Sequence, residues 1–193
     1  YKPLRHPHSP HTMIIADRLK NTNRAEYLLY MWQVEDLIRA FQFNSERIAK
    51  DYVSQFQLTP EQRAQTEKWY DNICNMMISE GVKEKGHTQI CKNILQQLVE
   101  LNHQLLESQK FPYYKQMYFK VLPYIVELRQ KFGGSEQQGE LETCFDTLYG
   151  VMMLRLQHKP ISEGTTQAAH DISAFLGQLS DYYFADKKEP IEF

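Results

Sequence analysis

Residues 25–41 constrain the fold of this chain more than any other segment. Every residue from Tyr27 to Trp32 is apolar or aromatic, and successive side chains on an α-helix lie about 100° apart. These side chains therefore point in all directions around the helix axis, and only from Val34 onward does a narrower apolar stripe emerge. A helix that is apolar all round is buried. The segment predicts a central helix that other helices surround, with Trp32 in the core.

The rest of the chain carries helical patterns with recognisable ends. The clearest helix start is at residues 59–62. The Thr59 hydroxyl can cap the helix, Pro60 suits the first helical position, and the Gln62 side chain can accept a hydrogen bond from the Thr59 N–H. No β-hairpin signal or period-2 run occurs in the sequence. We predict an all-α fold: a single-domain antiparallel bundle of six or seven helices around a buried central helix. The predicted helices span residues 13–20, 25–41, 60–81, 88–108, 112–132, 135–158 and 162–184, with a short one near Ile48 and Phe56.

Composition and charge exclude several classes of protein. The formal net charge is -2, so the chain lacks the basic field that nucleic acid or anionic lipid attracts. Its 3 cysteines show no CxxC or Cys/His ligand spacing, which argues against a disulfide framework or a zinc knuckle. No apolar run reaches the length of a membrane span, and the N-terminus does not resemble a signal peptide. We expect a reducing, cytoplasmic setting without nucleic-acid or membrane partners.

Residues 1–12 differ from the rest of the chain. They contain three prolines and three histidines and have no periodicity. His6, His8 and His11 are compatible with a metal-binding tract, but a disordered extension or a remnant of cloning explains the composition more simply. We assign residues 1–12 to such an extension and residues 13–193 to the helical domain.

The spacing most suggestive of a metal site is Glu100-Leu-Asn-His103, followed one turn later by Glu107. Helical bundles that hold di-iron centres place Glu-x-x-His ligands inward. On the helical wheel, however, these three side chains lie about 140–200° from Leu98, which is central to the apolar face. They face solvent, and the similar pair Glu84 and His87 lies in a glycine-flanked loop. We predict no bound metal and no cofactor.

No local motif supports catalysis. The sequence lacks G-x-S-x-G, S-x-x-K, a catalytic-cysteine signature and both phosphate-loop patterns. His170 points about 180° away from the apolar face of the last helix, and Asp171 beside it is interpreted as a surface acid. We assign no catalytic residue, and the chain is treated as a non-enzyme in the main hypothesis.

A second hypothesis rests on polar residues at crowded helical positions. Glu26 and Asp36, like Gln33, lie on the central helix, where burial is expected. Arg129 and Arg155 fall within apolar arcs of their own helices, and a buried arginine requires a carboxylate partner. These residues predict either an ion pair that fixes helix register or a polar pocket for a small anionic ligand. The ion pair is the simpler interpretation.

Large aromatic side chains stand in consecutive positions near Tyr113 and Tyr182. Because neighbouring side chains on a helix differ by about 100°, one ring can enter the core while the next reaches its edge. Tyrosine at such an edge is favoured in protein interfaces. These two residues predict a non-catalytic protein-interaction module that associates with itself. The alternative is that residues 191–193 fold back and cover them.

The sequences at residues 13–20 (MIIADRLK) and 25–40 (AEYLLYMWQVEDLIRA) resemble the opening of an uncharacterised Bacteroidetes family, domain of unknown function four-nine-two-four. The likeness is specific over residues 13–41 and extends more weakly over the remainder. Chains of that family begin at the equivalent of Met13, which agrees with treating residues 1–12 as additional. The resemblance implies an all-helical cytoplasmic protein, and it supplies no activity, cofactor or site residue.

Overall fold

A computed structural model describes residues 12–132 and 138–193. Within these residues the regular structure is helical and no strand occurs, so the predicted all-α fold is confirmed. The predicted histidine tract, the helix end at Gly133 and the helix start at Ser135 lie outside the described residues. The assignment of residues 1–12 to an extension stays a prediction; Thr12 is buried, and its hydroxyl caps the first helix by accepting a hydrogen bond from the Ile15 N–H.

The helices follow the predicted order with small shifts at their ends. The predicted short helix near Ile48 is a single turn that continues as a π turn (Ile48–Tyr52) and a 3-10 turn (Val53–Gln55). The last helix is longer than predicted because it continues through Phe184 to Lys188. The α-helices are α1 (Met13–Thr22), α2 (Arg24–Ala40), α3 (Ser45–Arg47), α4 (Pro60–Ser79), α5 (Gln89–Glu107), α6 (Pro112–Phe132), α7 (Glu140–Leu156) and α8 (Glu163–Lys188).

The chain divides into two compact units, and the boundary falls within α5, between Ile94 and Leu95. In the first unit, α1, α2 and α4 pack against one another. Buried residues cover every direction of α2 as predicted, and Trp32 is 3% exposed. Asn23 caps α2 through its side-chain oxygen, which accepts from the Glu26 N–H at 3.1 Å. Both predicted capping hydrogen bonds at the start of α4, between Thr59 and Gln62, are present at 3.1 Å.

In the second unit, α6, α7 and α8 pack against one another. The buried face of α6 contains Tyr114, Val121, Ile125 and Leu128, at the three- and four-residue spacing of one helix side. α6 runs through Pro123, which cannot donate a backbone hydrogen bond. Whether the whole chain forms the predicted single domain stays a prediction, as does the arrangement of all helices around α2.

Among the residues that the structure describes, no helix is both long and apolar enough to cross a membrane.

Candidate functional site

The first unit contains a fully buried carboxylate, Glu35, on α2. One carboxylate oxygen accepts a hydrogen bond from the Thr88 N–H at 2.9 Å, and the other lies 3.1 Å from His87 Nδ1. Thr88 directly precedes α5, and its own hydroxyl accepts from the Cys91 N–H. The first N–H groups of a helix lack intrahelical acceptors and attract negative charge. Glu35 therefore satisfies the start of α5 from a helix more than fifty positions earlier.

The His87 ring is held on two sides. It stacks on the Trp32 indole with ring centroids 4.2 Å apart and an interplanar angle of 11°, while Nδ1 contacts Glu35. Its side chain is 35% exposed. We call Trp32, Glu35 and His87 the α2–His87 cluster. An imidazole oriented by a carboxylate is an arrangement that general bases use, and it is equally a means of anchoring a loop.

Arg39 fixes the loop that leads to His87. Its guanidinium donates to the backbone carbonyls of Val82 at 3.0 Å, Lys83 at 3.3 Å and Gly86. A side chain that binds several carbonyl oxygens of one loop holds that loop in a single conformation. The α2–His87 cluster is thus part of a structural clamp between α2 and the segment before α5.

The cysteines do not supply a nucleophile. All three are free and buried. Burial raises the pKa of Cys74 to about 11 and that of Cys144 to about 12, and burial together with the nearby Glu35 carboxylate raises that of Cys91 further. A thiol must ionise to react as a nucleophile. Cysteine catalysis is therefore disfavoured at all three positions.

The two acids of the predicted polar pocket, Glu26 and Asp36, both lie in the first unit. Glu26 is half-buried at the start of α2. Asp36 is exposed and pairs with Arg39 at 3.0 Å, so the expectation that Asp36 is buried was wrong. The buried acid is its neighbour Glu35, because one residue on a helix turns the side chain by about 100°.

The two predicted arginines belong to the second unit. Arg129 is half-buried, and it donates to the Thr143 hydroxyl at 3.2 Å and to the Gln138 carbonyl. Neutral oxygens thus occupy the place where a carboxylate was expected. Arg155 is exposed in the last turn of α7, so its predicted burial was wrong. Leu156, the last residue of α7, is also exposed, and neither unit by itself assembles the predicted pocket.

The predicted outward direction of the acid–histidine motif is confirmed, since Glu100, His103 and Glu107 are exposed. Ile90, near the start of the same helix, is 44% exposed. The described residues contain no group of three or more His, Cys, Asp or Glu side chains that could hold a metal ion.

His170 is exposed as predicted, but the interpretation of Asp171 as a surface acid was wrong. Asp171 is buried and accepts hydrogen bonds from Tyr124 at 3.0 Å and Gln167 at 3.1 Å, with Lys120 at 3.3 Å. Burial by itself would raise the pKa of Asp171, but these three donors outweigh it and lower the pKa below its ordinary value. Tyr124 and Lys120 reach Asp171 from α6, which is why the isolated α8 pattern did not reveal it.

The aromatic interface candidates have different surroundings. Tyr113 is 64% exposed, whereas Tyr182 is half-buried and packs edge-on against Phe111 and Tyr114. The C-terminal segment folds back as the alternative hypothesis proposed: the Phe193 ring lies 6.1 Å from that of Phe111. The tail therefore covers the neighbourhood of Tyr182, and Tyr113 stays open.

One line of exposed positions along α6 lacks charge, a feature that the sequence analysis missed. Six exposed positions lie opposite the buried face at successive intervals of four, three, four, three and four residues, and the exposed charges of this helix (Lys120, Glu127 and Lys131) lie on one flank of them. Phe119 is 63% exposed and Val126 is 50% exposed. The spacing and the absence of charge were visible in the sequence once the buried face was known. We call this set the α6 stripe: Pro112, Gln116, Phe119, Pro123, Val126 and Gln130.

The fold and these two features define a small all-α protein with a buried carboxylate, Glu35, and an uncharged stripe of exposed residues on one helix. Residues 13–190 match the family described as domain of unknown function (DUF4924), and the chain belongs to that family. The resemblance stated from residues 13–41 is thereby confirmed, while the Bacteroidetes origin stays a prediction. Comparison with curated proteins and with solved structures gave no match.

Proposed function

We propose that the protein is a non-catalytic helical interaction module and that it associates with a second copy of itself through the α6 stripe. The observation that carries the proposal is the absence of charge along the α6 stripe, on which Phe119 is 63% and Val126 50% exposed. Single exposed apolar residues are ordinary on protein surfaces. A line of six exposed positions without charge along one helix is different.

The contrast with the rest of the chain makes this face significant. Charged residues form 24% of the sequence, and the outer face of a surface helix is where they normally concentrate. The core of a protein interface, in contrast, is depleted in charge and enriched in aromatic side chains. The α6 stripe has the composition of an interface core.

The spacing of the stripe favours a helix as its partner. Alternation of three and four residues is the pattern of coiled-coil seams, in which side chains of one helix insert between those of another. Since α6 carries this pattern itself, a second α6 is a complementary partner. Tyr113 lies beside the stripe on the same helix and would extend the contact at its edge.

The alternative function, binding of a small anionic ligand, has weaker support. Asp36 is paired with Arg39, Arg129 donates to neutral oxygens of its own unit, and Arg155 is exposed. A pocket would require convergent polar groups that are not already satisfied. We therefore favour the interaction module.

We also propose a cytoplasmic location and partners that are proteins, with neither nucleic acid nor membrane involved. The formal net charge of -2 and the three free, buried cysteines support this setting.

The proposal is tested by the substitution Phe119→Glu, followed by sedimentation equilibrium at concentrations up to several hundred micromolar. The unsubstituted chain is expected to dimerise, and a charge at the centre of the contact should weaken the dimer by at least about thirtyfold, which corresponds to roughly 2 kcal/mol. Ile78→Glu is the matched control because Ile78 is an exposed apolar residue on α4, with 46% exposure.

Circular dichroism of both variants establishes that they are folded. A chain that remains monomeric over the whole concentration range contradicts the proposal. The proposal is also contradicted if the dimers of the Phe119→Glu and Ile78→Glu variants have the same dissociation constant.

A further inference from the structure

We infer that the two copies pack with their α6 helices antiparallel, around a two-fold axis beside Pro123. This inference rests on the proposed function and adds the orientation and the pairing of side chains. Closed dimers usually have a two-fold axis, so that residue i of one copy meets residue j of the other and j meets i.

The apolar members of the α6 stripe are placed symmetrically about Pro123. Phe119 precedes it by four positions and Val126 follows it by three. In an antiparallel pair, Phe119 of one copy therefore lies level with Val126 of the other to within about one residue, or 1.5 Å. Gln116 and Gln130 are equally distant from Pro123, so their amide groups meet and can hydrogen-bond to each other.

Charge on the flank of the stripe favours the same orientation. Lys120 and Glu127 are both exposed and lie on the same flank of the stripe. Lys120 precedes Pro123 by three positions and Glu127 follows it by four, so the two lie at nearly equal distances from the axis. In the antiparallel pair, Lys120 of each copy faces Glu127 of the second copy. Lys120 Nζ lies 3.3 Å from Asp171, and the Lys120 side chain is 65% exposed. An ammonium has three donors, so Lys120 can hold Asp171 and meet a second carboxylate.

A parallel pair would be opposed by the same residues. Opposite flanks of the two stripes would then meet, so Lys120 of one copy would face Lys115 of the second copy across the seam. Like charges at an interface discriminate against an arrangement. On the opposite flank, the Arg129 guanidinium keeps its charge and is directed to Thr143 and Gln138 of its own chain.

The size of the contact determines how strong the dimer should be. A seam formed by one helix from each copy buries less than the ~1,200 Å² at which stable interfaces begin. Such a contact is typical of weak association, so the experiment is best run at high protein concentration.

Orientation is measured by disulfide formation between introduced cysteines, Gln116→Cys and Gln130→Cys. The three native cysteines are buried, so oxidation under native conditions reports on the new thiols. In the antiparallel dimer, a mixture of the two variants forms a mixed disulfide. Each variant by itself forms little, because two copies of residue 116 are about 21 Å apart along the helix axes.

Efficient disulfide formation by each variant alone would indicate a parallel pair and overturn the inference. A chain that dimerises in sedimentation but forms no disulfide in any sample overturns the inference and leaves self-association standing. A chain that never dimerises overturns both.

Glu127→Lys supplies an independent test of the charge pairing. It reverses two intermolecular pairs at once, and we expect the dimer to weaken about tenfold. Glu142→Lys is the control, because Glu142 is an exposed acid on α7. Equal effects of the two substitutions would contradict the proposed pairing.

Discussion

Replacing Glu35 by alanine should destabilise the protein strongly, although the residue contributes nothing to the proposed contact surface. The substitution removes the acceptor of the Thr88 N–H and the partner of His87 Nδ1. Thr88 is 1% exposed, so water cannot replace the lost acceptor without a rearrangement. The consequence is an unsatisfied donor at the start of α5.

The magnitude follows from these two contacts. Hydrogen bonds to a charged group contribute about 1.5–3 kcal/mol each, and a buried donor left unsatisfied costs about 1–3 kcal/mol. Because the terms overlap, we expect Glu35→Ala to lower the free energy of unfolding by about 3–5 kcal/mol. In a chain of this length that corresponds to a fall in melting temperature of roughly 6–20 °C. Glu35→Gln should cost less, since its amide oxygen can still accept from Thr88.

Urea unfolding followed by far-UV circular dichroism and tryptophan fluorescence measures the effect. Asp36→Ala is the matched control: the residue is adjacent, has the same charge and has a side chain that is 52% exposed. Its surface ion pair with Arg39 should contribute at most about 1 kcal/mol. If the two alanine variants differ by less than about 1 kcal/mol, the assigned role of Glu35 is incorrect.

Two further predictions concern the packing of the core and the loss of stability at acid pH. Trp32→Ala should lower the free energy of unfolding by about 3–5 kcal/mol, because Trp32 is 3% exposed and its ring stacks on His87; a loss below about 1 kcal/mol in urea unfolding would contradict this. The pKa of Asp171 is lowered in the folded state from an ordinary value of 3.8, so its stabilising contribution is present above about pH 4 and is lost as the pH falls through the lower, folded-state pKa. Asp171→Asn should therefore be more destabilising near pH 6 than near pH 2, and a pH-independent difference between the two chains would refute the assignment.

Features that depend on a few neighbouring residues were predictable from the sequence. The capping hydrogen bonds between Thr59 and Gln62 require only the spacing of one helical turn, and they are present. The burial of α2 follows from apolar residues in every direction of one helix. The exposure of Glu100 and His103 follows from the angle between their positions and the apolar face. In each case the relevant contacts lie within one element or are defined by its periodicity.

The partners of buried polar groups required the tertiary structure. Glu35 is separated from Thr88 by 53 positions, and Asp171 from Tyr124 by 47. A wheel drawn for one helix shows which way a side chain points, but it does not show which donor another helix brings to it. Asp36 was therefore chosen in place of Glu35, and Asp171 was assigned to the surface.

The sequence by itself determined the helices, their caps and the burial of α2 on all sides, because local hydrogen bonding and hydrophobic periodicity are properties of consecutive residues. Only the tertiary structure decided which carboxylates are buried and which face of α6 is left open. Burial of a charged group depends on donors supplied by distant segments. The α6 stripe, likewise, became recognisable only after α7 and α8 had covered the opposite side of the helix.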